Sequence, residues 1–424
     1  MSFSSLGFSP AQLPAFLRAL AEKGYLAPTA IQSAAIPAIL QGCDVVGSAQ
    51  TGSGKTVAFA LPLLQQLAEA PLHSPGRVRG LILVPTRELA MQVGEAIVSL
   101  ARYLPRRMRV AVVFGGVSIN PQMMALRGGA DIIVATPGRL LDLINHNALS
   151  LASVSTLVLD EADRLLDLGF GEELDRILRQ IPAQRQNLFF SATFPPAIEA
   201  LAATLLHQSV RIEVRATAQT GSDIRQRAIE VDAGRRTQLL CHLVRSEGWS
   251  RVLVFVATRH AAEIVADKLR KAGIAAEPFH SELSQGKRTQ VLLDFRQKVL
   301  QMVVATDVAA RGIDIAKMPV VVNYDLPRST VDYTHRIGRT GRAGESGMAV
   351  SFVSARTAAH LRLIEKRQRM GVPREQVAGF EPARGGESST GAAAPTGGIK
   401  SKRPSRKDKL REAAARLQVP QPKE

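Results

Sequence analysis

The stretch Ser48-Ala49-Gln50-Thr51-Gly52-Ser53-Gly54-Lys55-Thr56 constrains the rest of the chain most. An apolar pair, Val45-Val46, precedes it, and a helical pattern over Val57 to Leu67 follows. A strand therefore runs through a glycine-broken loop into a helix. Gly52 and Gly54 let the backbone approach a ligand and turn N–H groups inward. The helix start adds free N–H groups and the positive end of its dipole. Such a loop suits phosphate, with Lys55 reaching the β- and γ-phosphates and Thr56 holding a magnesium ion. The general pattern is G-x-x-x-x-G-K-[ST], and here its first position is Ala49. Taken alone, the stretch also fits a chance glycine-rich turn.

Downstream, apolar strands alternate with amphipathic helices. Candidate strands are 81–84, 110–114, 131–135, 156–159, 187–190 and 210–214, then 228–231, 252–256, 275–279, 302–305, 320–323 and 348–352. Near-continuous apolar strands between helices indicate mostly parallel sheets covered on both faces, an α/β class. A period-free, weakly apolar segment over 215–225 reads as a linker between domains 1–214 and 226–370. Ile133-Val134-Ala135-Thr136 is echoed by Val303-Val304-Ala305-Thr306, a short internal likeness that chance alone could produce. Residues 371–424 are rich in Gly, Ala, Pro, Ser and charge, the composition of a disordered basic tail.

In parallel sheets ligands gather at the carboxyl ends of strands, and the informative residues follow those ends. They are Arg87, Gly116, Thr136, Gly138 and Arg139, a potential row of phosphate contacts, although each also suits an ordinary capping turn. After 156–159 come Asp160 and Glu161. An acidic pair there, far downstream of a phosphate loop, fits metal binding by Asp160 and water activation by Glu161. Ser191 and Thr193 end the next strand. In the second half, Arg336, Arg339 and Arg342 recur at intervals of three among glycines and read as fingers for phosphates. Upstream, the Gln32 amide can donate and accept at once, as an adenine edge requires, but an exposed polar residue on a helix would look the same.

The chain carries a net charge of +17 from 54 Lys/Arg and 37 Asp/Glu. Eleven Lys/Arg and six Asp/Glu fall in 371–424, so +5 sits there and +12 remains on residues 1–370. A basic folded part points to a polyanionic partner such as nucleic acid. Its two cysteines, Cys43 and Cys241, match no metal or redox spacing. No run approaches the ~18 apolar residues of a membrane span, and the first ten residues lack the pattern of a signal peptide. A cytoplasmic protein is expected, with no membrane partner.

The motifs in order resemble the DEAD-box RNA helicases. They are Gly24-Tyr25…Pro28-Thr29…Gln32, Ala49–Thr56, Pro85–Ala90, Gly115-Gly116, Thr136–Arg139, Asp160–Asp163, Ser191–Thr193, Thr306-Asp307…Arg311-Gly312…Asp314 and His335–Arg342. The wording over 112–129 and the short basic tail look most like the bacterial RhlE-type branch. In that family Ala at the first loop position is usual. The resemblance implies two RecA-like domains and an ATP-dependent activity that unwinds or remodels RNA duplexes and RNA–protein complexes. An ATP-regulated RNA clamp and a DNA-directed relative are the alternatives.

By the same resemblance, Tyr25, Gln32, Ala49, Gln50, Thr51, Gly52, Ser53, Gly54, Lys55, Thr56 and Asp314 would bind ATP, with Mg2+ on Thr56 and Asp160. Lys55, Asp160, Glu161, Arg339 and Arg342 would be catalytic, and Ser191 and Thr193 would couple hydrolysis to unwinding. Arg87, Gly116, Thr136, Gly138, Arg139, Arg259, Gln285, Arg288 and Thr306 would line a track for single-stranded or short duplex RNA. Ribosomal particles and RNA-decay machinery are partners of the kind implied. Two departures stand out. Position 7 is Gly where the family has an aromatic, leaving Phe3 or Phe8 to stack on adenine. His280-Ser281 replaces the usual His-Gly.

Overall fold

The structure, a computed structural model, describes residues 2–49, 52–71, 77–206, 208–214, 224–310, 318–341, 346–368 and 370–383. Residues 1–382 form one compact unit built on two sheets. The first contains β1 (Val45–Ser48), β2 (Gly80–Leu83), β3 (Val110–Val113), β4 (Ile132–Ala135), β5 (Thr156–Asp160), β6 (Gln186–Ser191) and β7 (Val210–Glu213). Its order is β3-β4-β2-β5-β6-β1-β7. The second contains β8 (Ile224–Glu230), β9 (Val252–Val256), β10 (Ala276–Phe279), β11 (Met302–Thr306), β12 (Val320–Asn323), β13 (Gly347–Val353) and β14 (Arg374–Glu375). Its order is β10-β11-β9-β12-β13-β8-β14. All pairings are parallel.

The central strands are buried along their whole length, as a sheet sandwiched between helices requires. Ile82, Val134, Val158 and Leu188 face one core with helix Lys55–Glu69. Leu81, Leu83, Ile133 and Leu159 face the other. Removing one such side chain costs about 2–5 kcal/mol, transfer and cavity terms together.

Each strand of the first sheet has a counterpart at the same place in the second. The echoed residues are the last three of β4 with the threonine just after it, and the last four of β11; both strands occupy the second position of their sheets. The likeness is therefore a repeat of architecture. The second sheet begins at Ile224, inside the stretch read as a linker, and residues 215–223 lie outside the described residues.

One expectation is corrected. The composition predicts disorder from residue 371, yet 371–382 continue the second lobe. Ala228 N–H donates to Pro373 O at 2.9 Å, and β14 pairs with β8. Val377 and Phe380 pack on the core, Phe380 against His242 with 5.3 Å between ring centroids. The physical reason is the open edge of β8, whose backbone groups need a partner. The rest of the expected tail, 384–424, lies outside the described residues. Among the described residues no helix is long and apolar enough to cross a membrane.

Candidate nucleotide and nucleic-acid site

Three neighbouring strand ends assemble the first half of the site. Ser48 of β1 pairs with Ser191 of β6, and Asp160 of β5 pairs with Phe190. Ala49 N–H then donates to Ser191 O at 3.1 Å, which ties the phosphate loop to β6. Gly54 precedes the helix with φ 94°, a left-handed conformation that favours glycine. A Cβ there would lie 2.3 Å from Gln32 Nε2. Lys55 is buried, and its Nζ donates to Ala49 O at 2.8 Å across the loop. Ser53 Oγ is buried without a hydrogen-bond partner. Gln50 and Thr51 lie outside the described residues.

Gln32 sits against this loop and not on an exposed helix face. Its Oε1 accepts from Thr29 N–H at 2.9 Å, and its Nε2 donates to Gly54 O at 3.1 Å. Thr29 Oγ1 donates to Ser53 O at 2.8 Å. Tyr25 is half-exposed. Phe3 and Phe8 are both buried in the first-lobe core, Phe8 with its ring centroid 5.3 Å from that of Phe16.

Asp160 and Glu161 are almost wholly buried. Burial raises the Asp160 pKa to about 6; the Lys55 charge works against the rise, and Glu161 adds to it. Glu161 has φ 53° and ψ 50°, a left-handed backbone at a non-glycine residue. Such strain persists only where the surroundings impose it. Here Glu161 N–H donates to Asp160 Oδ1 at 3.0 Å, and Glu161 O accepts from Arg164 N–H at 2.9 Å. Asp163 joins this turn to β6. Its Oδ2 accepts from Thr193 Oγ1 at 2.6 Å and from Thr193 N–H at 3.1 Å, and its N–H donates to Ser191 Oγ at 3.3 Å. Ser191 and Thr193 are thus bonded to the acidic turn.

The second lobe meets this turn through His335. Arg164 Nη1 donates to Glu161 Oε2 at 2.6 Å, and its Nη2 lies 3.4 Å from His335 Nδ1. Burial, with Arg164 beside it, pushes the His335 pKa down to about 4. Arg339 is buried on the turn after helix Thr330–Ile337. Asp314 and Arg342 lie outside the described residues.

Arg336, read with Arg339 and Arg342 as a phosphate finger, is corrected. Its Nε and Nη2 hold Asp307 at 2.6 and 2.7 Å, and its Nη1 donates to Asn323 Oδ1 and Asp325 O. Spacing cannot separate a finger from a strut, because the same three-residue interval puts Arg336 in the last turn of the helix and Arg339 on the turn just after it. Removing one member of a buried pair strands the other. Asp307 keeps some exposure, so Arg336→Ala should destabilise the chain by about 3 kcal/mol, the lower end of that effect. A lower urea midpoint would show it, and an unchanged midpoint would count against the strut.

The polymer-facing candidates fall at strand ends of both lobes. A Cβ on Gly116 would strike the Arg87 guanidinium at 1.9 Å, so the two are in contact. Thr136, Gly138 and Arg139 open helix Pro137–Asn145, and Arg139 Nη2 donates to Val117 O at 2.7 Å. In the second lobe Thr306 ends β11, while Gln285 and Arg288 open helix Gln285–Arg296. Arg259 is ion-paired with Glu282. Arg139 Nη1, Arg288 Nε and both amide atoms of Gln285 are buried without hydrogen-bond partners. His280 Nε2, at the second departure, lies 2.7 Å from Glu263 Oε1.

The two rows touch at Glu88, beside Arg87. Glu88 Oε1 and Arg288 Nη2 lie 3.0 Å apart, both side chains almost fully buried. The angle is not that of a hydrogen bond, since Glu88 Oε1 has none. Close charges in poor alignment still attract, so we read the contact as an ion pair between lobes.

Residues 29–201 match the DEAD/DEAH box helicase family, and residues 235–344 match the helicase conserved C-terminal domain. The ATP-dependent rRNA helicase rrp3 of Emericella nidulans is 45% identical over 354 residues, which cover 83% of this chain and 74% of that protein. The chain belongs to the DEAD-box ATP-dependent RNA helicases. The ATP-dependent RNA helicase DeaD of Mycobacterium tuberculosis is 42% identical over 375 residues, covering 88% of this chain. The chain spans only 65% of the length of that DEAD-box relative. A structure of Saccharomyces cerevisiae Dbp5 bound to RNA and ADP BeF3 is similar with a TM-score of 0.77 and 29% identity, covering 88% of this chain and 95% of that one. The two sheets are those of two RecA-like domains.

In this DEAD-box chain, three residues of the site go beyond the sequence-based expectations. Glu88 is one: an acid beside Arg87 in a row meant for phosphates needs a cation of its own, which was a usable signal. Arg164 and Asp163 are the others. A basic residue three after Glu161 on one helical turn can reach back to it, but nothing in the sequence says that the pair is buried.

Proposed function

We propose that this chain is an RNA-stimulated ATPase that locally unwinds or remodels RNA. The observation that carries the reading is the meeting of Lys55, Asp160, Glu161 and Ser191 at adjacent strand ends, with His335 of the second lobe against the same acidic turn. In it, the loop 49–56 holds the phosphates of ATP through backbone N–H groups, Lys55 and the unsatisfied Ser53 hydroxyl. Gln32 would exchange its loop contacts for the adenine edge, with Tyr25 beside it. Glu161 takes the proton of the attacking water.

The donor set suits Mg2+. Among the described residues no group of three or more His, Cys, Asp or Glu could hold a metal ion. Magnesium instead needs only one or two protein ligands besides phosphate and water. Asp160, a buried carboxylate with a raised pKa, and Thr56 would hold it. When bound, it would neutralise charge on the β- and γ-phosphates.

RNA would lie along Arg87, Gly116, Thr136, Gly138, Arg139, Arg259, Gln285, Arg288 and Thr306. The buried donors of Arg139, Gln285 and Arg288 that lack partners support this track. Backbone contacts of this type position a strand without reading bases. Asp163, bonded to both Ser191 and Thr193, offers the route by which movement at β6 reaches the acidic turn. We assign residues 1–214 and 226–370, the latter extended through β14 to 382, to the two domains. The RhlE-type branch is supported by the 112–129 wording, and a cytoplasmic site with ribosomal or RNA-decay partners is consistent with it.

The test is displacement of a short, labelled RNA strand from a duplex. Displacement should require ATP and fail with a non-hydrolysable analogue when turnover is counted. ATP-independent annealing without displacement would favour the clamp.

A further inference from the structure

The Glu161 carboxylate ends a three-torsion side chain on a strained backbone, and something must fix its direction. Arg164 does so from the first turn of the helix that Glu161 caps, at 2.6 Å. Both side chains are more than nine-tenths buried. The other arm of the same guanidinium faces His335, which belongs to the second lobe. Arginine only donates, so this contact is a hydrogen bond only if Nδ1 of His335 is the bare nitrogen of a neutral ring. The groups facing that ring are Arg164, Asp163, Glu161 and Arg339, and burial keeps the ring neutral at ordinary pH. A rigid planar fork thus spans from one lobe to the general base of the other.

We infer that Arg164 is a positioning residue for hydrolysis, holding the Glu161 carboxylate in its reacting direction while His335 of the second lobe is seated against it. The inference rests on the reading of Glu161 as the general base. Seating of the second lobe fixes the guanidinium, and the guanidinium fixes the carboxylate. A cavity of about 490 Å³ adjoins the contact, lined by Asp163, Arg164 and Thr193 from one lobe and Ser329, Asp332 and His335 from the other. When the second lobe withdraws, this space opens to water and Arg164 loses one of its two anchors. RNA would raise turnover at Glu161 in part through this relay, without touching it.

The test compares Arg164→Met, Arg164→Lys, His335→Ala and the double variant Arg164→Met/His335→Ala in the full chain. Turnover at saturating RNA and ATP is read beside the dissociation constants of both ligands. Arg164→Met should lower kcat about 10- to 100-fold, as expected for a misplaced reacting group, with both dissociation constants kept within about twofold. Arg164→Lys should recover part of kcat, because an ammonium can still reach Glu161. His335→Ala should lower kcat and add nothing further in the Arg164→Met background.

Multiplying effects of the two changes would overturn the relay. So would a loss confined to ligand affinity, or unchanged kcat. If Arg164→Met does not fold, the Arg164→Lys/His335→Ala combination answers the same question of additivity. Glu161→Gln separates the two readings. If it keeps full turnover, the general base is wrong and the relay falls with it. If it is inactive while Arg164→Met turns over normally, only the relay falls.

Discussion

Arg339→Ala is expected to lower RNA-saturated ATP turnover by about 10³- to 10⁵-fold, the range for loss of an arginine finger. Arg339 lies on the turn after helix Thr330–Ile337 and is buried. Its charge is felt by His335, which also feels Glu161 and Asp163 of the first lobe. A second-lobe cation is therefore held near the acidic pair, where under the proposed function charge would develop on a transferring phosphate. The phosphate loop belongs to the first lobe alone, with Lys55 bonded to Ala49 and Gln32 to Gly54. ATP affinity should consequently survive the substitution while turnover collapses. Lysine should rescue poorly, because a point charge does not reproduce the planar fork. Turnover within about tenfold of the parent would move the finger role elsewhere.

Glu161→Gln is expected to lower turnover by about 10²- to 10⁴-fold, the usual contribution of general base catalysis. Glutamine keeps the shape and can still accept from Arg164, so the fold and the loop should be preserved. It cannot take a proton from water. ATP and RNA should bind together and stay bound, giving slow RNA release in a pulse-chase experiment. Fast release with normal turnover would place the base at another residue. Fast release with turnover abolished would mean that RNA release is not coupled to hydrolysis.

The fold was legible because its signal is repeated burial. Strands such as Val252–Val256 and Val320–Asn323 are nearly all-apolar runs with clear ends, and their bounds are the same in the sequence pattern and in the structure. β14 was missed because two residues, Arg374 and Glu375, make a strand by lying along an edge, with no apolar period of their own. Its counterpart β7 shows that the position recurs in both sheets. The site was legible where chemistry demands a residue type at a strand end, as at Lys55 and Asp160. It was illegible where function depends on burial and on contact between lobes. Arg336 looks like a finger in sequence, yet it is consumed by Asp307, Asn323 and Asp325. Likewise Glu88 and Arg288 are 200 positions apart and meet only when the lobes do.

The account stands on RNA bringing the second lobe to ATP bound in the first. ATPase rate with no polymer, with single-stranded RNA and with DNA of the same length tests this most directly. A low basal rate, strong stimulation by RNA and little by DNA is the predicted result. A rate unchanged by RNA, or raised equally by DNA, would contradict it.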